Sequence, residues 1–322
     1  MLRLKGIQSV EPKFVEPIAA MKIYLGIALI AGTITAIGCE ASGSPEDTSK
    51  PAGTAENRFK ASDALLETIA AKIADSFETV VVIDHSRLAE KEGVTMPPSV
   101  VTIYSNPAII TALMKLNPRV GLDLPQKLLV FEDGGKPAVA YPESTFLSKR
   151  HGITDEGALG DYDAALKVGL EGLSKDLLAP VGGDGVTRDY GIVEIDSDFS
   201  HAESIERLKA AVMKQGDTVW FGDIDLKAEA VAAGEKLPNA TLLLFGGPKP
   251  GGVAMAKFPK LGLDAFCQKL LVYEGDGGAV KVIFNDIVAM AKLHYGTSAK
   301  PQEVINGRLK ETFEGAVKAG GE

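Results

Sequence analysis

The size and charge of the chain limit what it can be. It has 322 residues, of which 45% are hydrophobic and 24% are charged, and this composition is typical of a globular protein long enough for two domains. The net charge is −9, and residues 1–38 carry four basic and only two acidic side chains, so the chain from Cys39 onward has a net charge of −11. Such an acidic chain is not expected to bind nucleic acid or to dock electrostatically on anionic lipid.

The N-terminal segment predicts a secretory signal. Residues 21–30 begin with Met-Lys and become apolar, and the apolar run continues to Gly38. A basic start, a short apolar run and small residues before a break are the parts of a cleavable signal. The run is short for a membrane span, although an uncleaved membrane anchor is the alternative. Residues 1–20 lack this pattern, so Met21 is the expected start of the protein.

The residues that follow predict a lipid anchor and a tether. Ala36-Ile37-Gly38-Cys39 resembles the lipobox of bacterial lipoproteins, whose cysteine is lipidated and becomes the first residue of the mature chain. The resemblance implies that Cys39 anchors the chain in the cell envelope, facing the periplasm. The resemblance to Gram-negative lipoproteins also implies the outer membrane rather than the inner one, because Glu40, and not Asp, follows the cysteine. Residues 40–53 are polar and rich in Pro, Gly and Ser, as expected of a flexible tether. The second cysteine, Cys267, is then without a disulfide partner and is predicted to be a half-buried thiol.

Two parts of the chain repeat each other at an offset near 140 residues. Residues 114–132 contain Met, Pro, Gly-Leu-Asp and Gln-Lys-Leu-Leu-Val-Phe-Glu in that order, and residues 255–274 contain the same series with Tyr in place of Phe. Residues 104–107 and 245–248 correspond in the same way. One offset over such a length indicates duplication of a domain rather than a solenoid.

The repeat extends upstream to the first candidate functional residue. Residues 81–84 are aligned with residues 220–223, and this alignment pairs Asp84 with Asp223 and His85 with Ile224. If His85 has a function, the second repeat is then predicted to have lost it.

Hydrophobic periodicity predicts strands and helices in the same order in both repeats. In the first repeat we expect helices near Ser62–Ser76 and Tyr162–Leu178, and strands near Thr79–Ile83, Val100–Tyr104, Lys127–Glu132 and Ala138–Tyr141. In the second we expect strands at Ile192–Ile195, Thr218–Phe221, Thr241–Phe245, Lys269–Glu274 and Val280–Phe284, a turn at Gly246–Gly252, and helices after Ser200, at Val253–Lys260, after Asp286 and at Gln302–Lys318. A hairpin in a sheet that also needs helices on one face gives an α+β sandwich in each repeat.

The predicted organisation has four parts. They are a signal with its upstream extension (1–38), a lipidated cysteine and tether (39–57), a first domain with a trailing helix (58–180) and a second domain with a trailing helix (186–320).

The order of these motifs resembles the DUF302 family. The series is strand, Asp-His, short helix, Gly, Pro, apolar strand, Asn-Pro, Met, Gly-Leu-Asp-Leu-Pro and Leu-Leu-Val-Phe-Glu. The resemblance covers about residues 58–153 and 189–296, and the first repeat matches more closely. It implies tandem copies of one small sheet-plus-helices domain. It implies no activity, because the function of that family is not established.

Two pairs of residues are candidates for a site in the first repeat. His85 follows a strand directly and lies beside Asp84, so it is a candidate ligand contact, or a general base oriented by the carboxylate. The alternative is that His85 caps the short helix that follows. Asn106 and Pro107, at the start of the next helix, are further candidate ligand-binding residues.

The other polar positions give no specific chemistry. His151 and His294 lie near helix ends, where a cation complements the helix dipole, and Asp123 and Asp264 are expected in turns. Gly246–Gly252 lacks the Gly-Lys-Ser/Thr of a phosphate loop. Metal-ligand spacings and a Gly-x-Ser-x-Gly elbow are also missing from the sequence, so neither a metal nor a cofactor is predicted.

Three functions therefore remain open. The leading hypothesis is a non-enzymatic envelope lipoprotein that binds a small molecule or an envelope protein. The second is an enzyme that uses His85 and Asp84 of the first repeat. The third is a structural or assembly role, in which the two repeats form a pseudo-dimer within one chain.

Overall fold

The computed structural model describes residues 55–266 and 268–320. The predicted signal, Cys39, most of the tether and Cys267 lie outside the described residues. The described part contains two five-stranded sheets with helices, one sheet in each repeat, so the predicted α+β class is confirmed. Both repeats belong to one compact unit.

The first repeat (55–181) begins with a helix and ends with a short strand. Its elements are α1 (Ala55–Ala74), β1 (Glu78–Asp84), α2 (His85–Lys91), β2 (Ser99–Ser105), α3 (Pro107–Leu116), a 3-10 helix (Pro118–Leu122), β3 (Gln126–Asp133), β4 (Lys136–Pro142), α4 (Ser144–His151), α5 (Glu156–Leu170), a 3-10 turn (Lys175–Leu177) and β5 (Leu178–Val181).

The second repeat (192–317) has the same central order. Its elements are β6 (Ile192–Asp196), α6 (His201–Met213), β7 (Val219–Asp225), α7 (Leu226–Ala232), β8 (Ala240–Gly246), α8 (Pro248–Met255), a 3-10 helix (Pro259–Leu263), β9 (Gln268–Glu274), a 3-10 turn (Asp276–Gly278), β10 (Val280–Asn285), α9 (Ile287–Tyr295) and α10 (Lys300–Val317).

The two sheets differ at one edge. The strand orders are β1-β2-β3-β4-β5 and β6-β10-β9-β8-β7. The first four strands of the first sheet are antiparallel, and β5 is parallel to β4, whereas β6 is antiparallel to β10.

The predicted trailing helix at Tyr162–Leu178 is wrong at both ends, because α5 runs from Glu156 to Leu170. Gly172, with φ of +69°, follows the helix, and a left-handed residue does not continue it.

Side-chain caps determine where several helices begin. The predicted caps Ser200 and Asp286 are confirmed, because each side chain accepts a hydrogen bond from the backbone N–H three residues later. The predicted turn at Gly246–Gly252 is wrong, because α8 starts at Pro248. Proline is tolerated in the first helical turn, where its missing N–H would have no partner within the helix.

The caps also correct the alignment of the two repeats. Asp84 caps α2 and Asp225 caps α7 in the same way, each accepting from the backbone N–H three residues on. Asp84 therefore corresponds to Asp225 rather than to Asp223, and His85 corresponds to Leu226 rather than to Ile224.

Alternate side chains of β3 face the helices and the other repeat. A Cβ added at Gly169 of α5 would lie 2.5 Å from Leu128, and one added at Gly262 of the second repeat would lie 2.9 Å from Leu129. Each residue from 126 to 131 is buried. The strand is thus covered on both faces, which explains its nearly continuous apolar run.

The contacts between the repeats are reciprocal. Gly121 of the first repeat packs on Leu226 and Leu271 of the second, and Gly262 of the second packs on His85 and Leu129 of the first. In the same manner α2 packs on α8, and α7 packs on α3. The interface therefore consists of two equivalent halves with different residues in them.

A cleft beside His85 and a buried charge cluster

One half of the interface contains a cleft of about 310 Å³, partly open to solvent, between α2 and the start of α8. Its walls are mostly apolar. They are formed by His85, Leu88, Phe221, Gly246, Gly247, Pro248, Gly251, Gly252, Met255 and Phe266.

His85 is the polar side chain in the wall of the cleft. The residue is only 9% exposed, and its Nε2 atom makes no hydrogen bond of normal geometry with the described residues. Burial lowers the pKa of His85 from 6.5 to about 4, although the Asp84 charge and the Gly262 backbone raise it. The imidazole is therefore neutral at pH 7, with one nitrogen able to donate and the other to accept a hydrogen bond.

Asp84 does not orient His85. Its carboxylate accepts hydrogen bonds from Ser86 Oγ (2.7 Å) and from the backbone N–H of Arg87 (2.8 Å), and the Arg87 guanidinium lies 2.6 Å from it. The expectation of a base held by the neighbouring carboxylate is therefore not met by this geometry. Asp84 is a helix cap, while His85 is the first residue of α2.

The structure does not bring Asn106 and Pro107 to the cleft. The Asn106 side chain caps α3 by accepting from the Ile109 N–H at 3.3 Å, and Pro107 begins that helix. The residues that line the cleft are instead Gly247 and Pro248, their counterparts in the second repeat.

The equivalent position in the other half of the interface has larger side chains. Ile110 and Thr111 correspond to Gly251 and Gly252, and both are buried. The cleft thus borders the two glycines of α8, and its wall contains His85 of the first repeat rather than the equivalent Leu226 of the second.

A second polar feature, the buried charge cluster, lies between the two sheets. Asp123 is fully buried and accepts two hydrogen bonds from Arg150 NH1 at 2.9 Å, and its Oδ2 lies 2.6 Å from His151 Nε2. Burial alone would raise the pKa of Asp123, but Arg150, His151 and Lys127 hold it well below its ordinary value. Asp123 is therefore a buried anion rather than only the turn residue that the sequence predicts.

The second repeat contains a smaller version of the same cluster. His294 Nε2 lies 2.8 Å from Asp264 Oδ2, as His151 lies on Asp123. Leu293 occupies the position of Arg150, and the nearest ammonium to Asp264 comes from the other repeat: Lys127 Nζ at 3.4 Å. The pKa of Asp264 is lowered by Lys127 and His294 against the effect of burial.

Lys269 is the counterpart of Lys127, but its ammonium has no carboxylate within ion-pair distance among the described residues. Its ammonium makes one long hydrogen bond, of 3.5 Å, to the Leu263 carbonyl. Burial, followed by repulsion from Lys127, lowers the pKa of Lys269 to about 7. Two carboxylates, Lys127 and Arg150 already balance one another, so a charged Lys269 would leave an excess positive charge in the interior.

The cluster changes the interpretation of the two repeated histidines. His151 is buried, and burial is the main reason why its pKa is lowered, so it differs from the cation that the sequence predicts at a helix end. The signal that could have identified the cluster is the joint repetition of Asp, Lys and His at matching positions of both repeats. Among the described residues there is no group of three or more His, Cys, Asp or Glu side chains that could hold a metal ion.

These features define a tandem α+β repeat protein with a cleft and a charge cluster between its repeats. The model described as "Domain of unknown function DUF302" matches residues 55–168 and 193–316, so the chain belongs to the DUF302 family, in two copies.

Individual relatives match smaller parts of the chain. Proteins named "Fluoride-specific ion channel FluC 1" from Brucella suis biovar 1 (strain 1330) and Brucella abortus biovar 1 (strain 9-941) are each 37% identical over 106 residues. The match spans 33% of this chain and 41% and 38% of those proteins. A crystal structure of a DUF302 protein from Bacillus stearothermophilus is 15% identical, with a TM-score of 0.33, and the match covers 39% of this chain and 95% of that one. Within the described part of this chain, no helix is long and apolar enough to cross a membrane.

Proposed function

We propose that the protein is a non-enzymatic small-molecule-binding module of the cell envelope, with its ligand in the cleft beside His85. The observation that carries this proposal is a buried, neutral imidazole that is the polar side chain in the wall of an apolar cleft. Such a side chain offers a ligand hydrogen bonding in otherwise apolar surroundings. The environment of Asp84 supports binding over catalysis, because its carboxylate is engaged in capping α2.

The address is part of the same proposal. The lipobox-like residues that end at Cys39 support a lipid anchor and a periplasm-facing location, with the outer membrane favoured by Glu40. Growth with radiolabelled palmitate tests this step. We expect label in the wild-type protein and none in Cys39→Ser, and label in both proteins would contradict the anchor.

The reciprocal packing supports a second element of the proposal, namely that the repeats act as an internal pseudo-dimer. Contacts of Gly121 with Leu226 and of Gly262 with His85 are equivalent, and so are the two helix pairs. In such an arrangement both repeats contribute to one ligand site, and neither repeat would bind alone.

Native mass spectrometry with metal analysis tests the ligand site. The sample is the chain expected from residue 39 onward, carrying Cys39→Ser and purified without denaturation. We expect a bound small molecule in near-stoichiometric amount, its loss in His85→Leu, and its retention in the control His201→Leu, whose histidine lies away from the cleft and contacts the Val272 carbonyl. A bound species that survives His85→Leu, or a bare mass from every preparation, would contradict the proposal.

Fluoride is a separate probe in this experiment. Relatives of part of the chain are named as fluoride-specific channels, and that name belongs to those proteins, of which the match covers 41% and 38%. Saturable fluoride binding that His85→Leu removes would identify the ligand as the ion rather than an organic molecule.

A further inference from the structure

A second chamber, partly open to solvent and about 360 Å³ in volume with that open space included, lies next to the His85 cleft. It shares Gly247, Gly251 and Phe266 with the cleft, so the two spaces adjoin along the start of α8. Its polar lining differs from that of the cleft. The further residues that line it are Gln215, Asp217, Thr218, Phe245, Pro250, Gln268, Ile305, Arg308 and Leu309.

The unsatisfied group in this lining is a hydrogen-bond donor. Gln268 is only 5% exposed, and its Nε2 has no hydrogen-bond partner among the described residues. The neighbouring polar groups are engaged: Thr218 Oγ1 donates to the Val212 carbonyl at 2.9 Å, and Gln215 Nε2 donates to Thr312 at 2.9 Å. An occupant of the chamber would therefore have to supply an acceptor.

Two further features favour an anionic acceptor. The helix α8 begins in this wall at Pro248 without a side-chain cap, so the partial positive charge of its N-terminus is left uncompensated by a side chain. Arg308 also lines the chamber, and Asp217 binds two of its nitrogens at 2.7 Å. Because Asp217 neutralises Arg308, the wall carries no excess negative charge that would exclude a single carboxylate.

We propose that the second chamber binds the carboxylate of a small apolar acid whose hydrocarbon part extends toward the His85 cleft. The inference rests on the proposed function and specifies its ligand class. Gln268 Nε2 donates to one carboxylate oxygen, and the start of α8 stabilises the negative charge, while Arg308 keeps the Asp217 carboxylate from repelling it. The shared Phe266 and the apolar walls accommodate the hydrocarbon part.

An NMR titration of the Cys39→Ser chain with sodium hexanoate tests this inference, with hexanamide as the uncharged analogue. We expect saturable hexanoate binding with shifts at the start of α8, and binding of hexanamide weaker by about tenfold, since hydrogen bonds to a charged group are the stronger ones. Gln268→Met and Arg308→Gln should each weaken hexanoate binding by about tenfold. Equal binding of the acid and the amide would overturn the inference.

Matched variants control for general effects of these changes. Gln126→Met alters the buried glutamine at the equivalent position of the first repeat, which lines neither chamber, and Arg207→Gln breaks an ion pair of similar exposure with Glu203. Both should bind hexanoate as the wild type does. Because Arg308 lies at the surface, its variant keeps the test valid if Gln268→Met does not fold. Hexanoate binding that neither Gln268→Met nor Arg308→Gln reduces would overturn the inference.

The outcome also separates this inference from the proposed function. If hexanoate does not bind while the wild-type chain still retains a ligand that His85→Leu loses, the acid is the wrong class and the His85 site stands. If the chain binds neither hexanoate nor a ligand that is lost in His85→Leu, the inference and the proposed function are both wrong.

Discussion

The two repeats have one fold, but they differ at the residues that face each other across the interface. The first repeat contributes His85 and Arg150, where the second has Leu226 and Leu293. Conversely, the second repeat has Gly251 and Gly252 where the first has Ile110 and Thr111. Duplication has therefore produced an interface whose two halves differ, and the His85 cleft lies in the half with the glycines. The comparison teaches that neither repeat alone would contain the candidate site.

The largest effect is expected from making the first repeat resemble the second at the charge cluster. Arg150→Leu reproduces Leu293 and leaves Asp123 and Asn285 without the guanidinium that both contact. Breaking a buried ion pair by removing one partner costs about 3–5 kcal/mol, and we expect a loss of that size in the free energy of unfolding. Urea denaturation measures it.

The control for this change is an exposed arginine. Arg207→Leu breaks the surface pair with Glu203 and should cost at most about 1 kcal/mol. Equal losses for Arg150→Leu and Arg207→Leu would show that the cluster does not stabilise the interface.

The two equivalent lysines should respond with opposite signs. Lys127→Met removes the ammonium 3.4 Å from Asp264 and should destabilise the protein by about 3 kcal/mol. Lys269→Met removes a cation that has only one long hydrogen bond, and should stabilise it by about 1–3 kcal/mol at pH 6.

The pH dependence of the Lys269 effect follows from its lowered pKa. The unfolded chain binds more protons than the native one between pH 7 and about 10.4, so the cost of Lys269 is complete below pH 7 and disappears as the pH rises through this window. The gain from Lys269→Met should therefore be smaller at pH 9 than at pH 6. A gain of the same size at both values would contradict the assignment.

His85 should make the wild type sensitive to acid. Because its pKa is about 4 in the folded protein and 6.5 in the unfolded chain, the unfolded chain binds more protons between these values, and stability falls as the pH drops from 6.5 to 4. His85→Leu, which reproduces Leu226, should remove about 3 kcal/mol of this loss. Parallel stability–pH curves for the wild type and the variant would be the contrary result.

The smallest effect concerns the close packing of α2 on α8. A Cβ added at Gly252 would lie 2.5 Å from Ala89 Cβ, so Gly252→Ala should cost about 1–3 kcal/mol. Gly160 of α5 has no atom within 4 Å of such a Cβ, and Gly160→Ala should raise stability by up to about 1 kcal/mol. Calorimetric melting of the two variants measures the difference, and a gain in both would contradict the packing.

The sequence predicted the duplication and the fold class because apolar periodicity and repeated motifs are local signals. It misaligned His85 because Asp223 and Asp225 lie two residues apart in one strand and fit the pattern equally well. The cap geometry of α7 separates them, and this is not visible from spacing. The sequence placed His85 correctly at the end of a strand. It did not predict that Asp84 caps α2 instead of orienting His85.

The charge cluster and the cleft could not be predicted for a different reason. Lys127 and Asp264 are far apart in the chain and meet only after the 3-10 helix of each repeat packs on the sheet of the other. The turn predicted at Gly246–Gly252 was wrong because glycines and prolines are read as breakers, whereas here two prolines occupy the first turn of a helix.

The most direct test of the central claim is a crystal structure of the Cys39→Ser chain isolated with the ligand that its native mass spectrum reveals. The account predicts ligand density in the cleft between α2 and α8, within hydrogen-bond distance of a nitrogen of His85. Ligand density elsewhere, with the cleft closed by its own side chains, would contradict it.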